Sequence, residues 1–554
     1  MIIDSSFTWA ETKDAALRIG KCLLDMKLPS NRPQQTPLKQ DVTMPAIVLI
    51  HLTNCIEFLP VLLGIVAAGY AVTFASSVMT DAELATVIER TNPEVIFTSD
   101  QSANMIKRVL NERAAGKHQI RVFTVRPKGG APITTPDGIH GTSWQQLLQS
   151  QPLSSPLPLS SQEAQTRVAA ILWSSGTSGK PKGVVLSHAA LIASLKSVWY
   201  INSGFTGDER WLGFIPFYHI FGLVNILLLA PCCGATLFVM SKFDPHVFLA
   251  SIPQFRISTL HMAPPVALLL AKSPRLKRKN FQSVRNALSG GSPVPWEVIT
   301  TVDERLGMKI LMSYGLSEAG AVCNQVHEST KPLTQHQGNT GLPMHGVELK
   351  IVDGDVQESI PPNTEGVIMI RSGGMMLCYL DNPEATNEVL DSEGWFNTGD
   401  LGSLTPNGLL RITGRAKEVI KVRGFQVSPV EVEDALLESS LVADVAVAAI
   451  YDKSKATELP RAYVVPADSQ CCKDVEYAWS CSSTKPPSSL QRLGNDIKLW
   501  SESRITHYKW LKGNIVFVDK IPKSPSGKIV RWLLPEARGV LVEIYGPSSE
   551  RANL

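Results

Sequence analysis

Leu172-Trp-Ser-Ser-Gly-Thr-Ser-Gly-Lys-Pro-Lys-Gly-Val184 is the stretch that decides how this chain is read. An apolar run at 169–173 has the texture of a buried strand, and it enters a loop with three glycines, three serines, one threonine and two lysines. Backbone amides and hydroxyls of Ser174, Ser175, Gly176, Thr177, Ser178 and Gly179 can converge on phosphate oxygens there, while Lys180 or Lys182 neutralises charge. It is not a Walker loop. Only Thr177 and Ser178 separate Gly176 from Gly179, and Pro181 stands where a magnesium-binding Ser or Thr should follow the lysine. The expectation is a polyphosphate cradle at the end of a strand.

Working outward, short runs rich in β-branched residues at 46–51, 95–98 and 122–125 alternate with helical patterns such as 80–90. That alternation implies parallel strands with crossover helices, an α/β fold. Pro, Ser and Thr cluster over 127–162 as a surface connection, and 467–489, with three cysteines, reads as an exposed loop. After Gly414 the texture changes to a compact α+β pattern, with strands at 419–427 and 445–450 and a helix from Pro429. The expected division is a large domain of layered sheets and helices over 1–416 and a small, mobile α+β domain over 417–554.

Composition excludes several classes of protein. The 554 residues are 44% hydrophobic, enough for a large core, and 53 basic against 50 acidic residues leave a formal charge of +3. Such a balance gives no field for nucleic acid or an anionic membrane, so the ligand should be small. Nine cysteines, without zinc-type spacing, fit a reducing compartment. The first residues lack the basic-then-apolar run of a signal peptide, and the uncharged stretch 221–240 is divided by Asn225, Pro231 and Gly234 into a buried helix, a turn and a strand. An intracellular, cytoplasmic protein is expected, with Ala552-Asn553-Leu554 at the C-terminus loosely resembling a peroxisomal address.

With its other motifs in order, the chain resembles the adenylate-forming superfamily: acyl- and aryl-CoA synthetases, 4-coumarate:CoA ligases, luciferases and peptide-synthetase adenylation domains. The likeness runs from about Phe7 to Trp532 and is nearest to the 4-coumarate:CoA ligase-like branch. It implies ATP-dependent activation of a monocarboxylic acid, aryl or medium-chain acyl, to an acyl-adenylate, followed by transfer to coenzyme A. Loading of a carrier protein in trans is one alternative and a catalytically silent binder of acyl groups or nucleotides another.

The same resemblance assigns residues. In Pro216-Phe-Tyr-His219-Ile-Phe-Gly222 it places His219 between the acid and the α-phosphate, with Phe221 and Asn225 facing the acid. Gly290 and Gly291 let a flat adenine approach the backbone. Ser313, Tyr314, Gly315 and Ser317 surround the base, Glu318 holds Mg²⁺, and Asp400 with Arg415 clamps the ribose. Lys417 marks a hinge. Lys421, Gly424 and Gln426 line the site in one orientation of the small domain, and Lys528, within Pro522-Lys-Ser-Pro-Ser-Gly527-Lys528, supplies the catalytic ammonium in the other. Met262, Leu288, Met312 and Ala321 complete a mostly apolar acid pocket, and the basic run 272–279 is a solvated helix end or a magnet for coenzyme A phosphates.

Overall fold

The computed structural model describes residues 5–29, 31–34, 42–112, 120–125, 142–174, 181–201, 207–326, 332–354, 358–422, 425–452, 457–481, 485–524 and 527–545. The phosphate-loop residues 175–180, Gly424, and the terminal 551–554 lie outside them, as does the side chain of Gln426.

The apolar runs form the expected strands. Ile47–His51, Ala71–Phe74, Val95–Ser99 and Arg121–Val125 are parallel neighbours in a mixed sheet of eight strands among the described residues. Every residue of Ile47–His51 and Ala71–Phe74 is buried, as expected of strands covered on both faces. Helix Asp81–Thr91 starts at a capping box between Thr80 and Glu83 and stops at Asn92, whose left-handed φ of 42° ends the helical turn. The same sheet takes in Val168–Ser174, which turns back antiparallel into Lys182–Ser187.

A second large sheet runs in the order Thr236–Val239, Arg210–Gly213, Thr259–Met262, Asn286–Gly290, Ile310–Leu316, Gly320–Asn324, Leu342–Pro343. It is parallel as far as Ile310–Leu316 and antiparallel beyond. A four-stranded antiparallel sheet ends in Phe396–Leu404 and Leu410–Arg415. One hydrophobic core joins the two large sheets and continues to Leu410, whereas a separate core begins at Ile420 and ends at Ile544. The chain is thus α/β, with two large mixed sheets in its N-terminal body and a small C-terminal α+β domain.

The 221–240 stretch forms helix Ile220–Gly222, a wide π-turn Leu223–Leu228 and helix Leu229–Cys232, then strand Thr236–Val239. No helix among the described residues is long and apolar enough to cross a membrane. All nine cysteines are free, and no group of three metal-ligating side chains occurs among the described residues. One expectation is corrected: most of 467–489 is helical, as Ser469–Ser480 capped by Asp468 and the start of Ser488–Arg504. The first of these helices buries only Val475 and Ala478, too few apolar positions for a helical period to stand out.

Helix Pro429–Leu437 of the small domain carries a titrating group. Burial, then Glu433, Glu297, Glu438 and Glu431, push the Asp434 carboxyl up to about 7. The folded chain keeps a proton that the unfolded chain has released between about pH 4 and pH 7, so stability falls as pH rises through that window. Asp434→Asn should raise the melting temperature at pH 8, by on the order of 1 kcal/mol of stability, and change little near pH 4. A pH-independent difference between the two melting curves would contradict this.

Candidate active site

The strand pair that frames the phosphate loop has Ser174 opposite Lys182 and Trp173 opposite Gly183. Arg90 pins its base, donating to the carbonyls of Pro181 at 3.0 Å and Leu380 at 2.7 Å while lying over the Trp173 ring. Lys182 places its ammonium 4.7 Å from the centre of the Tyr379 ring. The Tyr379 hydroxyl donates to Glu318 Oε1 at 2.9 Å. A cation at the mouth of the loop and the carboxylate expected to meet magnesium are therefore joined through one aromatic side chain.

Glu318 sits in the turn between Ile310–Leu316 and Gly320–Asn324, where its carbonyl accepts from the Met376 amide at 2.7 Å. Gly315 admits no side chain here, since a Cβ would lie 2.5 Å from the Gly320 carbonyl oxygen. A lone carboxylate, oriented by a phenol and grouped with no other metal-ligating side chains among the described residues, suits a hard cation whose remaining ligands are phosphate and water.

Asp400 and Arg415 are register partners on adjacent strands, and Arg415 Nε lies 2.9 Å from Asp400 Oδ1. The Tyr314 hydroxyl donates to the other oxygen, Oδ2, at 2.5 Å. Each carboxylate oxygen has a second lone pair to offer, so Asp400 can still accept from two vicinal hydroxyls. Burial, then Asp400, raises the Tyr314 phenol well above its ordinary value and keeps it a donor.

The small domain reaches this cluster through Lys528. Gly527, at φ +85°, lies against the large domain, where a Cβ would stand 3.1 Å from Pro265 Cδ and 3.2 Å from Ala263 Cβ. Lys272 adds a second link, donating to the carbonyls of Val442 at 2.8 Å and Ala443 at 2.9 Å, so this end of the basic run holds backbone. Burial, then Arg415, lowers the Lys528 ammonium, against the pull of Glu318, Asp400 and Glu418. Burial, then Lys528, holds His219 down to about 3, which leaves a neutral imidazole. His219 Nδ1 accepts from the Phe221 amide at 3.3 Å and caps the short helix that carries Phe221.

Lys421 is placed elsewhere. It is exposed on Ile420–Val422, opposite Gln426 in register, and its amide donates to Glu458 Oε2 at 2.7 Å. Lys417 is exposed in the turn after Arg415. Its neighbour Glu418 accepts from Arg531 Nε at 2.8 Å, and Arg531 also binds both oxygens of Glu433 and the Val447 carbonyl at 3.0 Å. Arg531→Ala should leave two carboxylates facing each other and cost about 3 kcal/mol, seen as a lower urea midpoint. An unchanged midpoint would show the network to be dispensable.

On the side expected to receive the acid, Phe221 covers Gly290, where a Cβ would lie 3.6 Å from the ring, and meets His261 edge-on at 6.0 Å. Gly290 is in register with Ser313, and Ser313 with Asn324. Asn225 is buried on the π-turn, and Ala321 is buried opposite Gly315. Strand alternation divides the expected wall residues between the two faces of the sheet. Met262, Ser289 and Met312 are register partners on the far face, while His261 and Leu288 share the face that Phe221 covers. Arg90, Tyr379, Glu418, Arg531 and His261 were not anticipated, because each acquires its meaning from a partner at least 61 positions away or from strand parity alone.

A family model described as AMP-binding enzyme matches residues 3–380, and one described as AMP-binding enzyme C-terminal domain matches 431–528. The chain belongs to this adenylate-forming superfamily of AMP-binding enzymes. It is an AMP-forming acid–thiol ligase, and membership implies binding of ATP and a carboxylic acid. The chain is 32% identical over 499 residues to 4-coumarate–CoA ligase 1 of Arabidopsis thaliana, covering 89% of this chain and 83% of that one. It is 30% identical over 534 residues to 4-coumarate–CoA ligase 3 of Oryza sativa subsp. japonica, covering 95% and 86%. ATP-bound MatB from Rhodopseudomonas palustris shares the fold at TM-score 0.77 and 22% identity, over 95% of this chain and 93% of that one. A benzoate CoA ligase from Burkholderia xenovorans LB400 does so at 0.76 and 20%, over 96% and 95%.

Proposed function

We propose that the protein activates a monocarboxylic acid, aryl or medium-chain acyl, as its adenylate with release of pyrophosphate, and then transfers the acyl group to coenzyme A. The observation that carries this reading is Lys528, brought from the small domain into electrostatic reach of His219, Glu318, Asp400 and Arg415. The names of the 4-coumarate–CoA ligases support an arylpropenoic acid, and the neutral His219 beside Phe221 supports an acid with a single charge.

In the first step a carboxylate oxygen bonds to the α-phosphorus and the bond to the pyrophosphate oxygen breaks. Both partners are anions, so alignment and positive charge carry the catalysis. Lys528 supplies that charge, Asp400 and Arg415 hold the ribose, and the loop between Ser174 and Lys182 holds the β- and γ-phosphates. Glu318 would hold Mg²⁺, which adds screening of the phosphates when bound. His219, neutral and fixed by the Phe221 amide, separates the acid from the nucleotide without adding charge. For the second step we place a hinge at Lys417, between the domains 1–416 and 417–554. Rotation there withdraws Lys528 and presents Lys421 and Gln426 to the thiol's entry path.

The test is acid-dependent exchange of pyrophosphate into ATP over cinnamic acid, benzoic acid and fatty acids of six to sixteen carbons, followed by thioester formation with free coenzyme A. Exchange and thioester with at least one of them is expected. Exchange without thioester would move the acceptor to a carrier protein, and no exchange with any acid would overturn the proposal.

A further inference from the structure

Helix Pro264–Lys272 of the large domain touches the small domain at both of its ends. At the N-terminal end its cap residue Ala263 and Pro265 face Gly527, the neighbour of Lys528. At the C-terminal end Lys272 donates to the carbonyls of Val442 at 2.8 Å and Ala443 at 2.9 Å. Nine residues of α-helix set the two contacts about 13 Å apart. Two contacts spaced along a rigid helix resist a rotation that either one alone would permit.

Local structure prepares both sides of the Lys272 contact. In the small domain, strand Val442–Asp452 pairs with Thr457–Pro466, with Val442 opposite Pro466 and Asp444 opposite Val465, so Ala443 is an extra residue in the ladder. Such a bulge re-aims the backbone around it, and here the carbonyls of Val442 and Ala443 meet the ammonium. In the large domain, Arg305 on helix Trp296–Leu306 donates to the carbonyls of Ala271 and Ser273, the latter at 2.7 Å. These flank Lys272, so the guanidinium satisfies carbonyls at the helix end and fixes the backbone from which Lys272 reaches out. Asp444, the nearest carboxylate in the small domain that acts on Lys272, is itself paired with Lys523 at 2.6 Å. A charge drawn out of water needs its donors met, and backbone carbonyls meet them here.

We infer that Lys272 is a positioning residue for adenylate formation, clasping the bulge at Ala443 so that the small domain is held in the orientation that delivers Lys528. The inference rests on the proposed acid-activating function and on its two orientations. Rotation of the small domain would part Lys272 from these carbonyls, so the clasp serves the first half-reaction alone. The start of the basic run 272–279 thereby acts on the protein's own backbone instead of on the phosphates of coenzyme A.

The experiment measures the two half-reactions of the full-length enzyme separately, with an acid that the wild type activates. Lys272→Met should lower kcat for pyrophosphate exchange by about tenfold or more, the scale of one charge-assisted hydrogen bond. Thioester formation from supplied acyl-adenylate should stay at the wild-type rate, which also shows that the variant is folded. Lys272→Arg, which keeps the charge and can donate to both carbonyls, should restore most of the exchange. Unchanged exchange in Lys272→Met would overturn the inference, and so would equal losses in both half-reactions, the mark of a merely structural lysine. A loss confined to thioester formation would overturn it as well and put Lys272 on the path of coenzyme A. Absence of exchange by the wild type with every acid would overturn the underlying function and the inference with it.

Discussion

Lys528→Ala should lower acid-dependent pyrophosphate exchange by about a thousandfold while ATP still binds with nearly its original affinity. An ammonium about 4 Å from the charge developing at the α-phosphorus is worth roughly 4 kcal/mol at an effective dielectric near 20, or about three powers of ten in rate. On the proposed function, nucleotide binding draws on other parts: the Asp400–Arg415 pair for the ribose, and the loop between Ser174 and Lys182 for the phosphates. Single-turnover formation of acyl-adenylate and calorimetric binding of ATP separate the two quantities. A variant that lost both equally would show Lys528 to be a binding residue, and one that kept full exchange would remove it from the chemistry.

Lys421→Ala should have the complementary effect, slowing thioester formation from supplied acyl-adenylate by about a hundredfold or more, the scale of removing one preorganised charge or donor, while exchange stays near its original rate. Lys421 is exposed and points its strand toward Glu458, whereas Lys528 already lies in electrostatic reach of Asp400 and Arg415. On the proposed function the two lysines serve different orientations of the small domain, which is the physical content of the hinge proposed at Lys417. Equal losses in the two half-reactions would rule out separate orientations.

Much of this architecture could be read in advance, for identifiable reasons. The strand ahead of the phosphate loop was legible because an apolar run ends in a glycine-rich, lysine-bearing turn, and helix Asp81–Thr91 because its residues follow a helical pattern. Tyr314, Glu318, Asp400 and Arg415 came from motifs, and the structure adds how they are joined. Arg90 and Tyr379 were not readable. Their contacts cross 290 and 61 positions of sequence, and no local pattern marks an arginine that will hold two carbonyls. The pocket wall illustrates a sharper limit. Met262 and His261 are adjacent, and a single step of strand parity decides which one faces Phe221.

The central claim is that positive charge from the small domain and a carboxylate-held metal act together on the innermost phosphorus of ATP. A crystal structure of the protein with Mg·ATP tests it most directly. The ribose should lie on Asp400 and Arg415, the metal on Glu318, and the α-phosphate beside Lys528 and His219. Nucleotide bound away from Glu318 and from the turn between Ser174 and Lys182 would contradict the account.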